Sequence, residues 1–213
     1  MKKIELVDVL NPPTFERSGV TKTRERAYND NDWLATFNLW IVQTDPNPAI
    51  IFQKRSRNQT IVPSLLDVAV GGHYSTGESM LDGLRESKEE VGKIYDKENI
   101  ISLGRRMYID YDISRNLRHN IVYVFATIDN SQLSTFKLQK DEVEGIFACP
   151  VEKIVKVFSE KDFSFTVNGL DNEGKEIETL VKQSSFPYNW DNYFYKMAVL
   201  IKRMLKGEKE LFI

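Results

Sequence analysis

Apolar residues along this chain fall into short bursts of two kinds, some with the period of a strand and some with that of a helix. From Trp33 to Val42 the run WLATFNLWIV is dense in aromatic and branched residues and predicts a strand. Asp45-Pro46-Asn47-Pro48 is turn chemistry, so Ala49 to Lys54 (AIIFQK) predicts the returning strand. A third short apolar segment, Leu65 to Val70, stops at the pair Gly71-Gly72. Further strands are predicted at Ser102 to Tyr111, Asn120 to Ile128 and Val143 to Ala148.

Three segments carry the helical period instead. One begins after Ser79, where Ser79 and Asp82 form a capping-box-like pair, and ends near Gly92. A second follows Pro150, with Val151, Ile154, Val155 and Phe158 on one face. The third runs from about Tyr188 to Leu205, with Tyr193, Met197, Leu200, Ile201 and Leu205 recurring at helical spacing. Between the last two, FTVNGLDNEGKEIETLV predicts a β-hairpin turning at Asn172-Glu173-Gly174. Strands interleaved with a few helices predict an α+β fold, an α-β-α sandwich around a mixed sheet. No repeat or flexible linker divides the chain, so one domain is expected over 1–213, with the hairpin and helix from about 160 as an extension.

Composition narrows the chemistry. The 213 residues carry a formal net charge of −2, which gives no general field for duplex nucleic acid or an anionic membrane. Cys149 is the single cysteine and His73 and His119 the two histidines, so an intrachain disulfide and a cysteine-based zinc site are excluded. The start, MKKIELVDVLNPP, lacks the apolar core of a signal peptide and no run reaches membrane-spanning length, so a cytoplasmic protein is expected. Hard-cation chemistry through carboxylates is the metal option left open.

The segment that carries such chemistry is GGHYSTGESMLDGLRESKEEVG, Gly71 to Gly92. Glu86, Glu89 and Glu90 stand at i, i+3 and i+4, one face of a helix. Such a face is commonly solvated surface. Here it is flanked by Gly71-Gly72, where a backbone and a ligand can approach closely, and by Gly77-Glu78, which turns the chain into the helix. Strand, glycine loop and acid-faced helix together make a concave place for a metal and a diphosphate.

This stretch resembles the signature of the Nudix hydrolases: Gly, five residues, Glu, seven residues, then Arg-Glu-aliphatic-X-Glu-Glu-X-Gly. The match runs through Gly72, Glu78, Arg85-Glu86, Glu89-Glu90 and Gly92. It departs in three places: only six residues separate Glu78 from Arg85, Ser87 takes the aliphatic position, and Gly83 sits where a better helix former is common. TRERAYNDNDWLATFNLWIV, IIFQKRSRN, LQKDEVEGIFACPVEKI and the ending GEKELFI also look like the Nudix branch nearest isopentenyl diphosphate isomerase. The isomerase activity itself is not expected. Gly71 stands where those enzymes carry a catalytic Cys, and Asn120 where they carry a second catalytic acid.

The resemblance implies hydrolysis of a diphosphate linkage in a small organic substrate, X joined to a nucleoside diphosphate or similar, with Mg2+ or Mn2+ as cofactor. It assigns the metal to Glu86, Glu89, Glu90 and the Gly72 carbonyl, and the proton-accepting role to Glu89 or Glu90. Glu142, beside a predicted strand, is a further acid candidate against the ordinary reading of a loop carboxylate. Glu78 and Arg85 are expected to brace the loop and the acids. Lys54, Arg55 and one of Arg105 and Arg106 are candidates for the outer phosphates, with Arg105 taken as the phosphate ligand; His73 braces the loop or touches substrate. Trp33, Phe37, Trp40 and Tyr108 can stack on a base, although aromatics in such strands usually belong to a core. The aromatic-rich last helix is a candidate homodimer face. The rival class is a non-catalytic sensor or interaction module that kept the fold and lost the activity.

Overall fold

The computed structural model describes residues 5–111 and 117–213. A hairpin of β1 (Leu6–Asn11) and β2 (Glu16–Thr23) leads into a short helix α1 (Arg24–Asn29), then β3 (Trp33–Gln43), β4 (Ala49–Arg55), β5 (Leu66–Val68) and β6 (Val70–His73). Helix α2 (Arg85–Glu90), β7 (Ile101–Tyr111), β8 (Leu117–Ile128) and β9 (Val143–Pro150) follow, and then α3 (Val151–Ser159), β10 (Phe165–Asp171), β11 (Glu176–Val181) and α4 (Tyr193–Leu205). The β1–β2 hairpin is invisible to hydrophobic patterning because most of β2 is exposed and carries no apolar alternation.

The eleven strands among the described residues belong to one mixed sheet, and β3 is its organiser. On one side it runs parallel to β8 over its whole length, with β7 antiparallel beyond. On the other side three partners share it: β1 at Trp33 and Leu34, β6 at Thr36 to Leu39, and β4 at Ile41 to Gln43. The apolar segment expected as one strand at 65–70 is therefore two. A break at Ala69 moves the chain from pairing with β4 to pairing with β3, and β6 continues through the two glycines to His73. Gly71 is suited to this crossing, because a Cβ there would lie 2.9 Å from the Asn38 side chain.

Alternation along β3 feeds two cores. Trp40, Phe52 and Phe147 face Ile154 of α3 and Phe194, Met197 and Ile201 of α4. Phe37, Leu39, Ile41, Ile51, Phe125 and Ile146 face Leu84 and Val91, on either side of α2. The fold is thus the expected α-β-α sandwich, and α2 is pressed onto the sheet where β6 meets β3.

Helix α4 begins five residues later than its periodicity suggests. Asn189 and Asp191 are engaged with Arg106, and Asn192 adopts a left-handed conformation (φ 54°), so the chain bends before it can coil. The aromatic face considered for a homodimer is used within the chain: Tyr193, Phe194, Met197 and Ile201 are buried in the core. Trp40 Nε1 donates to the Tyr193 hydroxyl at 2.9 Å, and that hydroxyl donates to Asn38 Oδ1 at 3.0 Å, satisfying both buried polar tips. No helix among the described residues is long and apolar enough to cross a membrane.

Candidate active site

The loop between β6 and α2 is held by its own hydrogen bonds and by bonds to β1. Glu78 Oε2 accepts from the Ser75 N–H at 2.8 Å, and the Gly77 N–H donates to Asp8 Oδ2 at 2.9 Å. Gly77 takes φ +83°, which favours glycine. A 3-10 turn over Met80–Leu84 then runs directly into α2, with Asp82 accepting from the Ser79 N–H at 2.8 Å and from its hydroxyl at 2.6 Å.

This turn accounts for the short signature. A 3-10 helix rises about 2.0 Å per residue against about 1.5 Å for an α-helix, so one residue fewer spans a similar axial distance. Gly83 has its own reason: a Cβ there would lie 2.5 Å from the Phe37 ring, so only glycine lets the turn lie flat on the sheet. Ser87, in the aliphatic position, is fully buried, its Oγ 2.7 Å from the Leu84 carbonyl and 2.9 Å from that of Lys93. It ties the two ends of α2 together. Ser87→Ala should destabilise the protein by about 1–3 kcal/mol, because a buried carbonyl loses its donor. Urea unfolding checks this, and an unchanged midpoint would show the tie to be idle.

Helix α2 aims its acids unequally. The Glu86 carboxylate packs on the backbone of Gly72 so closely that a Cβ there would sit 2.3 Å from Oε1. Glu90 is 5% exposed, and its Oε2 accepts from the Gly71 N–H and from Gln53 Nε2, each at 3.2 Å. Burial pushes Glu86 up to about 7, against the pull of Arg85 and with added repulsion from Glu89, Glu5 and Glu142. Burial also drives Glu90 well above the usual carboxylate range, with Glu86 and Glu142 adding to it. Glu142 stands just before β9, on a loop tied to α2 by the Gln139 N–H donating to the Glu90 carbonyl at 2.8 Å. Glu89 is different: its side chain is 56% exposed and lies 3.5 Å from Arg85. The fold therefore brings Glu86 and Glu90 to the Gly71–Gly72 bend, with Glu142 near enough to act on both, and leaves Glu89 at the rim. Among the described residues no three acidic, histidine or cysteine side chains converge tightly enough to enclose an ion in this conformation.

Arg85 joins loop to helix. Its Nε is 2.6 Å from Glu78 Oε1, Nη2 donates to the His73 carbonyl at 2.9 Å, and Nη1 is 2.8 Å from Glu86. The other basic candidates are less free. Lys54 pairs with Glu144 at 3.0 Å. Arg55 donates to the Ile61 carbonyl at 3.1 Å, although its charge still reaches Glu90.

Arg105, expected as a phosphate ligand, lies in register with Tyr123, Phe37 and Gly72 across the sheet. It is exposed on β7, which β8 and β3 separate from β6. Three strand spacings of about 4.8 Å put it roughly 14 Å from the bend. Its neighbour Arg106 is the inward one, bonded to Asp191 at 3.1 Å and stacked on Tyr193 and Tyr108. Alternation placed the two on opposite faces; only packing shows which face leads where.

His73 is held neutral in a hydrogen-bond network. Burial, reinforced by Arg24, Arg118 and Arg85, pushes it down to about 3. The Tyr28 hydroxyl donates to Asn120 Oδ1 at 2.9 Å and bonds His73 Nε2, while Arg24 Nη1 is 3.5 Å from Nδ1. These partners require a proton on Nε2 and a lone pair on Nδ1. Asn120 is thus a hydrogen-bond acceptor in a buried brace. Trp40 and Phe37 are fully buried core, and Trp33 stacks on His119 with centroids 4.9 Å apart. Sequence patterning missed Tyr28, Arg24 and Gln53; Gln53 alone left a trace, as a polar residue in an otherwise apolar strand.

Comparison with known proteins matches residues 35–167 to the NUDIX domain family. An uncharacterised Nudix hydrolase of Clostridium acetobutylicum is 27% identical over 206 residues, covering 92% of this chain and 97% of that protein. Nudix hydrolase 3 of Arabidopsis thaliana is 27% identical over 183 residues, 84% of this chain but 23% of the plant protein. Among solved structures, DR0079 from Deinococcus radiodurans superposes with a TM-score of 0.55 at 18% identity, over 74% of this chain and 90% of the other. A MutT protein from Methanosarcina mazei gives 0.52 at 17% identity, over 82% and 96%. These two structures share the fold.

Proposed function

We propose that this chain, which belongs to the Nudix family, is a divalent-metal-dependent hydrolase that cleaves a diphosphate linkage in a small organic substrate. The observation that carries this reading is the acid pair of half-buried Glu86 and buried Glu90, held against the Gly71–Gly72 bend. Both carboxylates lose solvation and sit among other acids, Glu86 pressing on Glu90, and both are driven toward protonation. A divalent cation reverses that cost, and hard oxygen donors are the set Mg2+ or Mn2+ takes. Glu86, Glu90 and the Gly72 carbonyl would hold it, with Glu89 reaching in from the rim. When bound there, the metal supplies charge neutralisation for the diphosphate and an acidified water.

The chain's own groups do the rest. Arg85 fixes the loop to the helix so that Glu86 and the glycine bend keep one relative position. Glu90 accepts the proton of the attacking water, Glu89 and Glu142 being the other carboxylates within the same neighbourhood. Water adds across the P–O–P bridge, so one phosphate leaves with the new hydroxyl and the other keeps the bridging oxygen.

The test is a panel of nucleotide sugars, dinucleotides, prenyl diphosphates and thiamine diphosphate-like compounds, with Mg2+ or Mn2+ and release of phosphate or monophosphate as the signal. Turnover that EDTA abolishes and added metal restores is the expected result. Diphosphate binding with no turnover under any metal would favour the non-catalytic module.

A further inference from the structure

Resting on the role given above to Glu90, we propose that Gln53 is a positioning residue that holds the Glu90 carboxylate in its working orientation. Gln53 lies on β4, clamped between Asp67 of β5 and Ile146 of β9. It points with Ile51 toward the core beneath α2 and is 3% exposed. An amide buried in a strand that otherwise reads AIIF needs a partner. That partner is Glu90, 37 positions further along the chain: Gln53 Nε2 donates to Oε2 at 3.2 Å. The same oxygen takes the Gly71 N–H at 3.2 Å.

Two donors from two different strands on one oxygen restrict the carboxylate to one rotamer and turn Oε1 away from them. Both donors are also neutral. A lysine or arginine at position 53 would orient the carboxylate equally well but would compete with a divalent cation for its charge. A neutral amide orients without competing, as outer partners of metal-binding carboxylates do.

The experiment measures Mn2+ binding to the full chain, by calorimetry and by electron paramagnetic resonance of free Mn2+, alongside diphosphate turnover. Gln53→Met fills the same volume without a donor, and Gln53→Asn withdraws the amide by one methylene; thermal melting identifies which is folded like the wild type. Mn2+ affinity should fall about 10- to 100-fold. The Mn2+ concentration for half-maximal turnover should rise by the same factor, while kcat at saturating Mn2+ changes less. In a Glu90→Gln background the Gln53 substitution should add nothing. Wild-type Mn2+ affinity in a folded Gln53 variant, or effects that multiply with those of Glu90→Gln, would overturn the proposal. A wild-type protein that neither binds Mn2+ nor hydrolyses any diphosphate would instead overturn the function itself.

Discussion

Replacing Glu90 with Gln is expected to lower kcat by roughly 10²–10⁴, the range for loss of a positioned general base. The substitution keeps the size and shape of the side chain, so packing around a residue only 5% exposed is undisturbed. The amide cannot accept a proton, and one of its ends must now meet Gln53 Nε2 and the Gly71 N–H. Stability should not suffer. Burial and the Glu86 charge both press on the Glu90 carboxylate in the folded state, and a neutral amide at that position is free of both. Low turnover with an unchanged or higher melting temperature therefore separates chemistry from folding. Wild-type turnover in this variant would falsify the assignment and move the proton-accepting role to Glu89 or Glu142.

Gly72→Ala is the second large effect, and it acts through geometry rather than ionisation. The added methyl would lie 2.3 Å from Glu86 Oε1 and 2.5 Å from its Cδ, well inside contact distance. The atoms in its way are the far end of a flexible side chain, so the carboxylate yields and the sheet stays in place. A displacement of about 1 Å in a reacting constellation can cost on the order of 10²-fold in rate. Activity should fall by about that factor and Mn2+ binding should weaken, with circular dichroism and melting close to wild type. Wild-type kinetics in Gly72→Ala would mean that the Glu86 carboxylate has no catalytic dependence on the bend.

Much of the architecture was already legible in the chain. The runs at 33–42 and 49–54 became β3 and β4 almost residue for residue, because central strands buried on both faces are long and uniformly apolar. The spacing of Glu86 and Glu90 on one helical face, next to Gly71-Gly72, likewise announced the two acids that the fold brings to the glycine bend. Local sequence did not report the β1–β2 hairpin, because the exposed strand β2 is held to β1 by backbone hydrogen bonds and carries no apolar alternation of its own. It also misjudged two apparent defects of the signature. Gly83 looked like a weak helix former, but the Phe37 ring beneath it leaves no room for a Cβ. Ser87 looked like a lost aliphatic contact, but it serves two carbonyls.

What the sequence by itself determined was the central strands, the later hairpin and helices, and the acidic helix, since each follows from periodicity within one segment. Tertiary structure alone decided which side chains meet. Glu90 meets Gln53 and Gly71 from two other strands, Glu89 is left at the rim, and Arg106 turns inward while Arg105 faces solvent. The reason is physical: burial and hydrogen-bond geometry depend on what lies across the sheet, and a neighbour 37 residues away leaves no mark on the local pattern.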